Sequence, residues 1–138
     1  MRFVIAVIAL LLITGSGLQA ATIYDRVDVV SVYDGDTFTA DVEIWPRLTH
    51  RVSVRIIGID TPELRSKCQA EKDMARAARQ RLEALLSADA VVLTDVRLGK
   101  FAGRVLAKVL TPAGDVSAIL IAEGIARPYH GGRRQPWC

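Results

Sequence analysis

Arg55, Asp60 and Glu63 crowd into the stretch 51–63, which reads RVSVRIIGIDTPE. Val52, Val54 and Ile56 alternate with Ser53, Arg55 and Ile57, a period-two pattern rich in β-branched residues that predicts a strand. Gly58 breaks the run, and Asp60-Thr61-Pro62-Glu63 follows as a loop. Pro62 fixes its own φ and pushes Thr61 out of the helical region, so the loop has a defined path. Two further charged residues stand at the starts of other predicted strands: Asp36 after an Asp-Gly turn, and Arg104 after Ala102-Gly103. Taken singly, each is a turn residue or a solvated charge. If Asp36, Asp60 and Glu63 converge, each pair of bare carboxylates repels by on the order of 3 kcal/mol at an effective dielectric near 20. A hard cation removes that repulsion. All-oxygen ligands suit calcium or magnesium, and there is no His/Cys cluster for zinc or copper. Beside such a cation, Arg55 and Arg104 make a phosphate clamp, because planar guanidinium forks grip phosphoryl oxygens bidentately and meet the charge of the transition state. Glu63 then stands ready to polarise a water for in-line attack. These are the parts needed for phosphodiester hydrolysis.

The elements that must hold these groups follow from periodicity. Residues 23–32 carry Val27, Val29 and Val30 among polar neighbours and read as a first strand. Tyr33-Asp34-Gly35-Asp36 turns the chain, with Gly35 expected at positive φ. Residues 37–44 then resume the alternation, with Phe38, Ala40, Val42 and Ile44 on one face. Residues 45–50 read as a connection, and residues 51–59 as the third strand. A helical period begins only after the loop. Ala70, Met74, Ala78, Leu82 and Leu86 recur at i+4 with Leu85 alongside, predicting a helix over Gln69–Leu86 with that stripe in the core. Residues 90–96 and 104–110 read as strands four and five, joined by a Gly-containing stretch. Asp115 is placed to cap a short helix over residues 116–123, and Gly124 to end it. Three strands, a helix, two strands and a final helix give a mainly β fold: a five-stranded barrel of the oligonucleotide/oligosaccharide-binding (OB) type, with one long helix after strand 3 and a short C-terminal helix.

The chain of 138 residues is 51% hydrophobic, which fits one folded domain and excludes disorder. Residues 1–20 place one Arg before an apolar run from Phe3 to Ile13, followed by small and polar residues. That is the pattern of a secretory signal peptide cut after Ala20, leaving residues 21–138 as the folded domain. The apolar run is too short for a comfortable membrane span. Losing Arg2 lowers the formal charge from +3 to +2, a mild balance that neither demands nor excludes nucleic acid. Export to a periplasm or beyond makes a Cys68–Cys138 disulfide the expected state of the two cysteines, and no CxxC or CxxH spacing suggests zinc.

Three segments, taken in order, resemble the motifs of the staphylococcal nuclease (thermonuclease) family. They are Val32-Tyr33-Asp34-Gly35-Asp36-Thr37, Val54-Arg55-Ile56-Ile57-Gly58-Ile59-Asp60-Thr61-Pro62-Glu63 and Gly103-Arg104-Val105-Leu106-Ala107. The resemblance extends through the intervening helix to Ala122-Glu123-Gly124-Ile125-Ala126. It implies an OB-fold, calcium-dependent endonuclease of DNA and RNA that leaves 3′-phosphate ends. By matching positions, Asp36 and Asp60 would bind calcium through side chains and Thr61 through its carbonyl. Arg55 and Arg104 would hold the scissile phosphate, and Glu63 would be the general base. The family usually carries Lys and Tyr where this chain has Phe101 and Ala102, with Lys100 one residue away.

The tail, residues 127–138, mixes Arg127, Arg133 and Arg134 with Tyr129, His130 and Trp137. That mixture suits stacking on single strands, the expected preferred substrate; the alternative is a tail pinned by the disulfide with Trp137 packed down. The expected protein is a monomer with no stable membrane association once the signal is cut. Two rival classes stand beside the enzyme. One is a non-catalytic OB-fold module that binds single-stranded nucleic acid. The other is a structural calcium module, which leaves Arg55 and Arg104 without a purpose.

Overall fold

A computed structural model of the protein describes residues 22–138, so the expected signal segment, residues 1–20, lies outside the described residues. In chain order the elements are β1 (Val27–Val32), β2 (Thr37–Trp45), β3 (Leu48–Ile56), β4 (Ile59–Asp60) and α1 (Gln69–Leu86). They continue with β5 (Val92–Leu98), β6 (Arg104–Thr111), β7 (Gly114–Asp115), α2 (Val116–Ala122) and β8 (Arg127–Pro128). The five long strands pair in the order β1-β2-β3-β6-β5. All neighbours are antiparallel except β3 and β6, which run parallel with Arg55 opposite Leu106. The segment just before β1 meets β5 at an isolated bridge, where Tyr24 and Leu93 exchange two backbone bonds of 2.9 Å. A continuous ladder does not run round this seam. Strand and helix order otherwise match the expected mainly β, OB-type arrangement.

Phe38, Val54, Ile56, Ile59, Leu82 and Leu120 are fully buried between the sheet and the helices. Each such side chain stabilises the fold by roughly 1.5–3 kcal/mol relative to exposure. Helix α1 has the expected bounds, with the Cys68 sulfur accepting from the Glu71 amide at its start. Its core stripe differs: Ala75, Ala78, Leu82, Leu85 and Leu86 are buried, while Ala70 and Met74 are exposed. The buried stripe therefore starts at Ala75, one position on from Met74, and the start of α1 is met by the acidic loop and the tail through Glu71 and Cys68. Helix α2 is capped as predicted, the Asp115 carboxylate accepting from the Ser117 amide at 2.9 Å.

Several strand boundaries also differ: the first strand begins at Val27 rather than at 23, and the strand expected over residues 90–96 runs from Val92 to Leu98. The expected connection over residues 45–50 belongs largely to β2 and β3, which run on to a tight turn at Pro46-Arg47, with Trp45 opposite Leu48. Arg47 takes φ 67° there. This overhang projects past the core, so Ile44 is 49% exposed although it continues the Phe38–Ala40–Val42 face. The third strand ends at Ile56, and Ile57-Gly58 turn the chain into β4. β4 leaves the main sheet and pairs with β8. That pair carries Asp60 at one end and leads the tail back towards the acidic loop.

Candidate nuclease site

Asp36 ends the turn between β1 and β2. Gly35 is needed here for close approach, not for positive φ: a Cβ on it would stand 2.7 Å from the Ala78 Cβ and 3.0 Å from the Thr61 side chain. The turn is therefore pressed against α1 and against the loop that follows β4, bringing Asp36 beside the segment of Asp60 and Thr61. All three residues are buried, at 5%, 3% and 1% exposure.

Buried carboxylates need partners. Asp36 has two: the Thr37 hydroxyl donates to it at 2.8 Å, and the Arg55 guanidinium lies 3.2 Å away. Arg55 also donates to the carbonyls of Ile56 and Ile59, at 3.2 and 3.3 Å. These bonds hold its planar head in one orientation at the end of β3. Asp34 supplies a third acid to the same corner and accepts from the Asp36 amide at 3.1 Å. Burial first, and the neighbouring Asp36 second, push its carboxyl from 3.8 up to about 6.

Asp60 and Glu63 find their partner in the tail. Arg134 makes ion pairs with both carboxylates and donates to the Thr61 carbonyl at 3.0 Å. The Trp137 indole N–H donates to the other Asp60 oxygen at 3.1 Å. Trp137 is held in turn by the Arg127 guanidinium, 3.8 Å from its ring centroid. The Cys68–Cys138 disulfide is formed and ties the end of the tail to the start of α1. Of the two readings of the tail, the pinned one is therefore observed, with Trp137 packed down. Glu63 keeps a half-exposed side chain, and its backbone amide donates to Glu71 at 3.0 Å.

A cleft of about 680 Å³ opens over this arrangement. Asp36, Arg55, Thr61, Glu63 and Arg104 all line it, so five of the six predicted site residues share one cleft; Asp60, 3% exposed, does not line it. Arg104 reaches the cleft from the start of β6, where the parallel register sets it beside Ser53. Its guanidinium sits 5.5 Å from the Phe101 ring centroid, so the residue in the family's usual Lys place contacts the arginine directly. Lys100 does not line the cleft, but Arg65 and Arg97 do. Five arginines thus face three carboxylates, Asp34, Asp36 and Glu63. This favours a polyanionic occupant.

The donor set can be tested against a hard cation. Among the described residues, no three His, Cys, Asp or Glu side chains converge into a ready cage. Asp36, Asp60 and Glu63 are instead each matched by an arginine. The Thr61 hydroxyl is buried with no hydrogen-bond partner. The Asp60 carboxylate, the Thr61 carbonyl and this unpartnered hydroxyl lie on one buried loop, and all are oxygen donors of the kind a hard cation accepts, with water completing its shell.

Comparison with known proteins decides the family. A family model described as staphylococcal nuclease homologue matches residues 53–136. The chain belongs to this family. No curated protein was found to match it. The matched span of the nuclease homologue takes in Arg55, Asp60, Thr61, Glu63 and Arg104, and it reaches Arg134 in the tail. Membership supports a nuclease-like or nucleic-acid-related function for this homologue, in a family that also holds non-catalytic modules.

Sequence reasoning missed two features. Arg134 was one of several basic tail residues, and only its place four positions before Cys138 hinted that it would be drawn back towards the loop. Arg65 and Arg97 carried no motif, and they reach the cleft through the path of the chain.

Proposed function

We propose that the protein is a calcium-dependent endonuclease of DNA and RNA that leaves 3′-phosphate ends. The observation that supports this reading is the meeting of Arg55, Arg104, Glu63 and Asp36 on one cleft with an excess of guanidinium charge. Asp36, Asp60 and the carbonyl of Thr61 would hold calcium, which when bound supplies charge neutralisation and Lewis acidity at a phosphate. Arg55, held by Asp36 and two carbonyls, offers its remaining N–H edge to a phosphoryl oxygen, and Arg104 offers a second fork from β6. Arg55, fixed by these bonds, is spared the cost of reorganising as negative charge grows in the transition state. Glu63 accepts the proton of an attacking water. The water oxygen bonds to phosphorus, the bond from phosphorus to the 5′-oxygen breaks, and that oxygen takes up a proton. The reaction leaves a 3′-phosphate and a 5′-hydroxyl. The arginine-lined cleft, with Tyr33, Phe101 and Tyr129 on its walls, suits single strands, whose phosphates and bases are both free to contact it. The closed disulfide is consistent with an exported protein.

The test is incubation of purified protein with heat-denatured DNA, in calcium and then in chelator. Digestion that stops on chelation, with phosphate retained on the 3′ ends, is the expected result. Retention of DNA without cleavage in calcium would instead identify a non-catalytic binding module.

A further inference from the structure

Arg134 does not sit at random on the acidic loop. Its guanidinium contacts Asp60, the Thr61 carbonyl and Glu63 together. Two of these carry oxygens assigned above to a cation, and the third is the assigned base. It brings a positive charge to buried oxygens, which is also what a cation would bring. The two cannot occupy the same oxygens at once.

The segment carrying Arg134 is fastened on both sides. Before it, β8 pairs with β4, and the Tyr129 amide donates to the Gly58 carbonyl at 2.9 Å. After it, Trp137 donates to Asp60 and Cys138 is bonded to Cys68. Gly131 and Gly132, at φ +104° and +86°, make the bend that returns the chain towards the loop. A side chain tethered at both ends is present at high effective concentration. It remains displaceable, because Arg134 keeps 36% of its side chain exposed.

We propose that Arg134 is a tethered competitor for the cation site: the C-terminal strap places a guanidinium on Asp60, Thr61 and Glu63, and cation binding proceeds by expelling it. This rests on the reading of Asp36, Asp60 and Thr61 as cation ligands. The strap protects buried carboxylates when the cation is scarce. It also keeps Glu63 paired, and so unavailable as a base, until the cation arrives. Activation by calcium is then an exchange of one positive group for another, and its midpoint is set by how firmly the strap is fastened.

The test is calorimetric titration with calcium alone, without nucleic acid, of the wild-type protein, Arg134→Gln and the Cys68→Ser/Cys138→Ser pair. Circular dichroism checks that each is folded. Removing several charge-assisted bonds from the competing state predicts that Arg134→Gln binds calcium roughly 10- to 100-fold more tightly. The cysteine pair keeps the guanidinium but loses its far fastening, so it should bind more tightly by a smaller factor, roughly 3- to 10-fold. Equal or weaker affinity in Arg134→Gln would overturn the competition while leaving the cation site standing. If Arg134→Gln does not fold, the cysteine pair decides by the same criterion. Absence of calcium binding in all three forms would overturn the cation site itself, and the competition with it.

Discussion

Replacing Gly35 with Ala is the smallest change that should reach the site through packing alone. The added Cβ would lie 2.7 Å from the Ala78 Cβ, where ordinary contact begins at 3.4 Å, and 3.0 Å from the Thr61 Cβ and Oγ1. Neither neighbour is a flexible tip: Ala78 is fixed in α1, and Thr61 lies in a buried loop. The turn must therefore move off the helix by most of an ångström, or α1 must shift. Overpacking of this kind costs about 1–3 kcal/mol. At a urea slope near 2 kcal/mol/M, that lowers the unfolding midpoint by roughly 0.5–1.5 M. Asp36 is the next residue and moves with the turn, so activity should fall by ~10-fold or more, since displacements near 1 Å at a site can cost ~100-fold. The double variant Gly35→Ala/Ala78→Gly removes the closer clash. Glycine in a helix costs about 1 kcal/mol by itself, so the prediction concerns the coupling: the pair should be at least ~1 kcal/mol more stable than the two single effects added together. Urea unfolding followed by circular dichroism measures all three. A Gly35→Ala variant within ~0.5 kcal/mol of wild type, or strictly additive effects, would refute the claim that close approach is what this glycine provides.

Arg55→Lys keeps the charge but loses the fork that spans Asp36 and two carbonyls; cleavage should drop by ~100-fold or more, with a smaller change in DNA retention, read by turnover and filter binding side by side. The bidentate Arg81–Glu123 pair joins α1 to α2 and holds the Glu123 carboxyl below its ordinary 4.5. Its contribution is therefore present above about pH 4.5 and is lost as pH falls through the depressed value, so the stability difference between wild type and Glu123→Gln should shrink between pH 6 and pH 3 in urea titrations. Opening the disulfide through Cys68→Ser/Cys138→Ser frees a sequence separation of 70 residues and should cost about 2–4 kcal/mol, measured by thermal and urea unfolding.

Much of this was legible from side-chain spacing because the site stands on elements with strong local signals. The alternation of Val52, Val54 and Ile56 set Arg55 on a strand, and Pro62 fixed the loop that follows. The Leu82–Leu86 stripe and the Asp115 cap likewise needed only local chemistry. What escaped was set by neighbours distant in sequence. Met74 reads as core from its spacing, but it is 38% exposed, and the buried stripe of α1 begins at Ala75 instead. Ile44 follows the alternation of β2, yet the hairpin overhangs the core. Gly35 was assigned positive φ because Asp-Gly turns commonly need it, while its actual constraint is the Ala78 Cβ across the fold. Arg134 lies 74 positions from Asp60 in the chain, and no periodicity can show that β8 and the disulfide bring the two together.

Cleavage by this site depends most on Glu63 acting as a base in an arginine-lined cleft. Single-turnover cleavage of a single-stranded DNA oligonucleotide in calcium, by wild type and by Glu63→Gln, addresses that directly. A carboxamide cannot accept the proton, so Glu63→Gln should cleave about 100- to 10,000-fold more slowly while unfolding at the same urea concentration. Equal cleavage rates for the two proteins, or no cleavage by the wild type, would contradict it.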